Sequence, residues 1–389
     1  MSVQANATVP LASTSNTAIV PVRVAPFATR WKRWVSASLG ERRAKALHQI
    51  QWATKAELTD RRFTWAEKTS AWRRGFTAES AAMYGFPRAD SGDYVSDYIR
   101  ENIAWLINGA PQLFDQKLVL KHLLITHGFP QAEAFALVAR AGTGAQLDPL
   151  GKGTRLVSLS QLEEAMRADG GHFIVKPQDL GGGMGVALVT TREGKLMRRR
   201  RGAWAPYAFK PVPRTLLVER QLSQHEFWHG LYPEAANTMR LLTMWTPGEP
   251  EPFIAVAAQR IGTVRSAPTD NFAQDGLAAP IRLDTGTLGP AQLIPTSGRP
   301  PRYTQHPENG VQIEGVRLPF WDRICETALA AARVVGFARY VGWDLLVDPH
   351  GTPIIIEGNT NAGVQILQMD GGLLKNPRVR RFYQSLGVM

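Results

Sequence analysis

The sequence predicts an α+β chain, on three observations. Residues from Arg30 to about Ile107 are rich in Trp, Ala, Arg and Glu with only scattered Gly or Pro, a helical pattern. Phe173–Pro177 and Val186–Thr190 are strand-like runs on either side of a glycine cluster at 181–185. Two more apolar runs, Val341–Val347 and Thr352–Ile356, enclose Asp348-Pro349-His350-Gly351 and read as a β-hairpin, with the amphipathic helical stretch Phe320–Phe337 just before it.

Composition sets the outer limits. A chain of 389 residues has room for two or three packed units. No apolar run reaches the roughly eighteen residues of a membrane helix. The first 28 residues, biased to Ala, Ser, Thr, Val and Pro, predict a disordered leader and lack the pattern of a secretory signal. Cys325 is the single cysteine, so no intrachain disulfide is expected, in keeping with a reducing cytoplasm. The net charge of +12 calls for an anionic partner: nucleotide, nucleic acid, membrane surface or acidic polymer.

In chain order, Trp31, Trp34, Leu39, Leu47, Trp52 and Trp65 are the expected anchors of an N-terminal helical region over 29–110. Its Arg and Lys residues read as a solvated face, with a phosphate-contacting face as the rival account. Gln112–His127 is the next helix, ended by Gly128 and Pro130, and Lys117 and Lys121 share one of its faces. Glu133–Val138 reads as a short strand, 141–155 as a loop and Leu162–Ala168 as a short helix.

The glycine cluster carries chemistry. Without Cβ atoms, Gly181, Gly182, Gly183 and Gly185 let backbone N–H groups close on a phosphate, and Lys176 enters the same turn from the strand before it. There is no GxxxxGK[ST] sequence; the cluster opens a strand where a dinucleotide fingerprint opens a helix; and the lysine precedes the loop, unlike a protein kinase. Arg198–Arg201, followed by Trp204, Tyr207 and Phe209, is basic with interleaved aromatics, the composition of single-strand binders, but its place between strands makes an exposed flap the simpler reading.

Thr215–Glu219 is a strand ending in an acid, with the character of a linker where Glu219 and the backbone meet an adenine edge and Glu226 a ribose. Arg240 leads the strand Leu241–Trp245 and Arg260 ends the strand Ile254–Arg260; two arginines delivered this way suit a carboxylate or phosphate. Asp270-Asn271-Phe272 follows as a polar segment, and 284–319 is a loop or small hairpin insertion. In the C-terminal hairpin a four-residue loop pairs Val347 with Thr352 and sets Asp344 opposite Ile355, with Glu357 diagonal and Asn359 one pleat further on. Asp344, Glu357 and Asn359 on one face of an apolar hairpin offer three oxygen donors, a set suited to Mg²⁺ carrying nucleotide phosphates.

In this order, and with the wording NTMRLLT, DNFAQDGL, HPENG, GWDLLVD and IIIEGNTN, the sequence resembles the sugar-transfer associated branch of the ATP-grasp superfamily over roughly 110–389. The resemblance implies an ATP-grasp fold, two α+β lobes clamping ATP, divided here as 111–214 with the glycine flap and 215–389 with the metal site. It implies that Lys117, Lys176 and the glycines contact phosphates and that Glu219 and Glu226 hold the nucleoside. Asp344, Glu357 and Asn359 would bind Mg²⁺ or Mn²⁺, and Arg240, Arg260 and Asn271 would face the reacting carboxylate. Gln274-Asp275-Gly276 after Asn271, and the missing proline after Asn359, depart from the branch's usual wording and bear on the substrate more than on ATP use.

The implied activity is an ATP-dependent ligase that joins a carboxylate to an amine or thiol through an acyl phosphate, in surface-polysaccharide or natural-product assembly. A phosphotransferase would use the same nucleotide site. A polyanion binder retaining the fold is the third reading, and the three metal-donor residues argue against it. Nucleic acid is therefore not an expected partner, and the oligomeric state is left open.

Overall fold

Two antiparallel sheets organise the protein. The computed structural model describes residues 55–86, 88–100, 107–108, 114, 116–151, 153–200, 203–211 and 213–387. The expected leader and the anchors Trp31, Trp34, Leu39, Leu47 and Trp52 lie outside the described residues, as does Arg201. No helix among the described residues is long and apolar enough to cross a membrane.

The described chain opens with α1 (Trp65–Trp72) and α2 (Ala78–Tyr84). Thr64 and Glu67 form a reciprocal capping box at the start of α1. Helix α3 (Lys117–Thr126) buries Leu120, Lys121 and Leu124 and ends just before Gly128, whose φ of +80° turns the chain away. Strands β1 (Ala134–Val138), β2 (Ala145–Leu147) and β3 (Arg155–Val157) follow. Strand β2 falls inside the stretch expected as loop. Helix α4 (Leu159–Asp169) is longer than predicted, because Ser158 and Gln161 cap its start and Gly170, left-handed, ends it. Then come β4 (His172–Pro177), β5 (Ala187–Arg192), β6 (Lys195–Arg200), β7 (Ala203–Pro206) and β8 (Leu216–Arg220).

These eight strands form the first sheet, in the order β3-β2-β1-β8-β4-β5-β6-β7. Leu162 and Met166, four apart on α4, pack on it with Phe173, Val175, Val189 and Val218. The order corrects two expectations. Strand β8, read as a linker opening the second lobe, lies between β1 and β4, so the boundary expected at 214/215 moves past Arg220. The basic run is no free flap, because β6 is paired on both sides by β5 and β7. Arg199 forms an ion pair with Glu234 and faces the Trp204 ring at 5.8 Å.

Helix α5 (Glu226–Leu231) leads to β9 (Met239–Met244), β10 (Phe253–Ile261) and β11 (Leu277–Ile281). After a long segment joined only by isolated bridges come α6 (Trp321–Val334), β12 (Tyr340–Val347), β13 (Pro353–Asn359) and α7 (Pro377–Ser385). The second sheet runs β11-β10-β9-β12-β13. One face, with Leu241, Trp343, Leu345 and Ile355, packs against α5 and α6. The other, with Leu242, Met244 and Tyr340, is covered by Phe76, Met83, Tyr84, Tyr94 and the α7 residues Val379, Phe382 and Tyr383. All eight residues of β12 are buried, as two covered faces require. The described part of the N-terminal region is thus no separate helical unit; its aromatic side chains complete the core of the second lobe.

The C-terminal hairpin differs from its predicted register. Its loop is one residue longer, so Val347 pairs with Pro353, and an irregularity between Asp344 and Leu345 leaves Ile356 as an extra residue. The bulge reverses side-chain parity: Ile355 turns into the core opposite Leu345, and Asp344 stands directly across from Glu357.

Candidate active site

The second covered face changes character within one strand step. On β9, Leu242 is buried in the core and Arg240, two residues back and on the same side, is not. Arg240 pairs in register with Asp344 on β12, Asp344 with Glu357 on β13, and Arg260 follows Ala258, the partner of Arg240 on β10. Four neighbouring strands therefore carry Arg260, Arg240, Asp344 and Glu357 as a strip of charge. This strip floors a cleft of about 720 Å³, and Lys176 and the glycine turn of the first lobe form its opposite side.

The strip is a bonded network. Asp344 accepts from Arg240 Nε and a terminal Arg240 nitrogen, each at 2.7 Å, and lies 3.3 Å from an Arg260 nitrogen. Arg260 also reaches Asp270 at 2.7 Å, and Asp270 in turn accepts from the backbone N–H and the hydroxyl of Thr238, both at 2.6 Å. Burial would push the Asp344 pKa up, but Arg240 and Arg260 outweigh it and hold the carboxyl below the ordinary aspartate range. Burial works against the charge on Arg260, and Asp270 and Asp344 more than restore it. Sequence reasoning passed over Asp270 as part of a polar loop; its partner Thr238, brought next to Arg260 only by strand pairing, gives no linear signal.

At the other end of the strip, Glu357 lies 3.3 Å from Lys117, which also donates to the Leu180 carbonyl. Asn359 is on the same face, two residues beyond Glu357, and its amide donates to the Gly342 carbonyl at 3.4 Å. Gly342 has no room for a side chain there, since a Cβ would stand 2.5 Å from the Ala362 Cβ.

The glycine turn is clasped by the second lobe. Gly182 and Gly183 both have φ of +67°, which a side chain would strain, and the Gly182 carbonyl accepts from the side chains of Asn271 and, at 3.3 Å, Gln274. A Cβ on Gly183 would already touch Asn271 and Thr269 at 3.4 Å. Asn271, expected beside a reacting carboxylate, is in this structure a clasp on the turn.

Of the two expected nucleoside contacts, one lines the cleft but is engaged by lysines and the other lies outside the cleft. Glu219, 4 % exposed, forms ion pairs with Lys176 and, at 2.8 Å, with Lys121. Burial would raise its pKa, and Lys176 and Lys121 together bring it below the usual glutamate value. Burial lowers that of Lys121 despite the opposing pull of Glu219. Glu226 is absent from the cleft lining; as the first residue of α5 it opens on a separate hollow with Phe227, Phe320 and Arg323, while Gln224 and His229 face the cleft.

For a divalent ion, the donors form a mixed set. Glu357 and Asn359 supply oxygens on one face, with Lys117 the only charged neighbour of Glu357 within ion-pair distance among the described residues. Asp344 shares that face but spends both oxygens on guanidinium groups. The donor types fit magnesium, provided Asp344 exchanges an arginine contact for the ion.

The model of the sugar-transfer associated ATP-grasp family matches residues 107–382. The chain belongs to that family. No curated protein matches it in sequence. Solved structures similar to this ATP-grasp chain share little of its sequence. An L-amino acid ligase from Bacillus licheniformis is 12 % identical, with a TM-score of 0.34 over 65 % of this chain and 42 % of that one. A biotin carboxylase from Campylobacter jejuni is 12 % identical, with a TM-score of 0.38 over 70 % and 47 %. A D-alanine–D-alanine ligase from Bacillus anthracis, complexed with ATP, is 12 % identical, with a TM-score of 0.32 over 71 % and 65 %. The chain spans about half the length of the first two of these structures, 42 % and 47 %.

Proposed function

We propose that this ATP-grasp protein is an ATP-dependent ligase that joins a carboxylate to an amine through an acyl phosphate, a thiol nucleophile being the variant form. The observation that carries the reading is the strip Arg260–Arg240–Asp344–Glu357 facing Lys176 and the glycine turn across one cleft. Cations on both sides suit a reaction in which negative charge moves between two bound anions.

In this reading Lys117, Lys176 and the backbone of 181–185 hold the nucleotide's phosphates, and the chain leaving Glu219 takes the adenine. Glu219 acts on Lys176 and Lys121, fixing where their charges stand. Arg240 and Arg260, oriented by Asp344 and Asp270, bind the substrate carboxylate. One of its oxygens attacks the terminal phosphorus, and ADP leaves with the electron pair of the broken P–O bond. The amine nitrogen then attacks the acyl carbon, phosphate leaves with the C–O pair, and the nitrogen gives up a proton. Glu357, Asn359 and an Asp344 freed of one arginine would hold magnesium, which supplies neutralising charge at phosphate oxygens. The protein's part is positioning and charge, with no covalent enzyme intermediate. Surface-polysaccharide or natural-product assembly is the setting we infer from the family's description.

Hydroxylamine trapping with MgATP and a pool of candidate acids tests the reading. A hydroxamate formed together with ADP and phosphate is the expected result. ADP with a stable phosphorylated acceptor and no hydroxamate would replace the ligase by a phosphotransferase.

A further inference from the structure

A second large cavity, about 930 Å³, lies between residues 56–100 and the segment 363–365, with Ala273 on its wall. Its sign is unexpected. The chain as a whole carries +12, yet the charged residues lining this cavity are Glu57, Asp60, Glu79 and Asp97 against Arg62 and Arg100. Three of the acids are engaged. Asp60 and Glu79 pair with Arg62 at 2.8 and 2.5 Å, and Asp97 accepts from Thr77 N–H at 2.7 Å, the Thr77 hydroxyl at 3.0 Å and the Ser80 hydroxyl at 3.2 Å.

Glu57 differs. It is 7 % exposed, and its Oε2 accepts from Trp72 Nε1 at 2.8 Å and Ala78 N–H at 3.0 Å. Among the described residues nothing donates to its Oε1. One oxygen is thus held by the protein and the other is open to the cavity, where an ammonium group can take the place of water. The rings of Trp72 and Phe76 border the same space and suit a carbon skeleton or a cation.

The cavity and the cleft have no lining residue in common, but they are neighbours at one turn. Asn271 lines the cleft and Ala273, within the same short turn, lines the cavity; Gly363 follows Asn359 by four residues. A molecule seated here is next to the turn whose Asn271 clasps the Gly182 carbonyl.

We propose that this cavity seats the co-substrate that brings the nucleophile, and that Glu57 recognises a positively charged nitrogen on it. The proposal rests on the ligase reading above; the nitrogen held by Glu57 stays protonated, and the reacting group is at the other end of the ligand. The site takes a ligand with a protonated amine and a carbon skeleton of a few atoms. Its opposite end is presented toward the Asn271–Ala273 turn.

The test uses the full chain and saturation-transfer NMR with two amines and their neutral counterparts, putrescine beside 1,4-butanediol and glucosamine beside glucose. At least one amine is expected to bind, with its counterpart weaker by about tenfold or more. Glu57→Gln is expected to weaken that amine by about tenfold and to leave MgATP affinity unchanged. Because Glu57 also bonds Trp72 and Ala78, a second variant guards against simple misfolding. Gly363→Leu fills the cavity at a position where a Cβ meets only an Arg100 nitrogen at 4.0 Å, and it should abolish amine binding. Equal amine binding by wild type and both variants, or no binding of either amine at millimolar concentration, would overturn the proposal. ADP with a stable phosphorylated acceptor in place of hydroxamate, together with intact, Glu57-dependent amine binding, would overturn the ligase reading alone.

Discussion

Arg240 and Asp344 meet as a planar fork across β9 and β12, two bonds of 2.7 Å flanked along the strands by Met239, Leu241, Trp343 and Leu345. The pair divides the sheet face: core lies on one side of it and cleft on the other. Asp344 is thereby a structural anchor for two arginines as well as a candidate oxygen donor.

That double duty separates two carboxylates otherwise expected to behave alike. Asp344→Asn leaves Arg240 without its counter-charge and Arg260 with Asp270 alone, and should cost about 3 kcal/mol of stability as well as turnover. Glu357→Gln, partly exposed and held by one lysine at 3.3 Å, should lose turnover with stability within about 0.5–1 kcal/mol of wild type. Urea unfolding alongside ADP release checks both; equal stability losses would contradict the assignment.

Acid stability follows from the same pair. The Asp344 carboxyl titrates lower in the folded chain than in the unfolded one, where it is ordinary at about 3.9. Its contribution is thus complete above about pH 4 and is lost as pH falls through the lower, folded value. Wild type should lose unfolding free energy more steeply than Asp344→Asn below about pH 4. Parallel curves in denaturant titrations from pH 6 to pH 2 would rule the linkage out.

Glu219 offers a sharper choice. As an adenine ligand alone, its loss would weaken ATP and leave the fold untouched. As the anion between Lys121 and Lys176, Glu219→Gln should lower stability by about 3 kcal/mol even without nucleotide. A thermal unfolding scan of the nucleotide-free protein decides.

The clasp on the glycine turn predicts a kinetic signature. Asn271→Ala removes one of two donors to the Gly182 carbonyl, so amides of 181–185 should exchange faster and KM for ATP should rise about threefold to tenfold. Hydrogen exchange that is unchanged in this segment would return Asn271 to a role at the substrate.

Much of this was readable in the linear chain, and the gaps have definite causes. That Lys176, Arg240, Arg260, Asp344 and Glu357 belong to one cleft was legible, because residue type and period-two spacing survive in sequence. The hairpin register was not. Three consecutive isoleucines, Ile354 to Ile356, make one slipped pairing look like another, and a bulge inside an apolar run changes no residue type. Glu219 misled for a different reason: an acid ending a strand reads the same whether it meets a ligand or two lysines from other elements. Glu57 left no trace at all, since an acid on a charged helical stretch is ordinary until packing buries it.

Strand β8 is the last of its sheet to emerge in sequence and yet lies near the sheet's middle, hydrogen-bonded to β1 on one side and β4 on the other. Until residue 220 is available, the earlier strands can form only two separate ribbons, each with an open edge able to pair with another chain. The first lobe therefore closes late and over a long stretch of chain, which makes its assembly slow relative to its hairpins. A fragment cut at residue 214 would keep both ribbons and lose the strand that joins them, and would aggregate; one cut after Gln221 has every strand it needs.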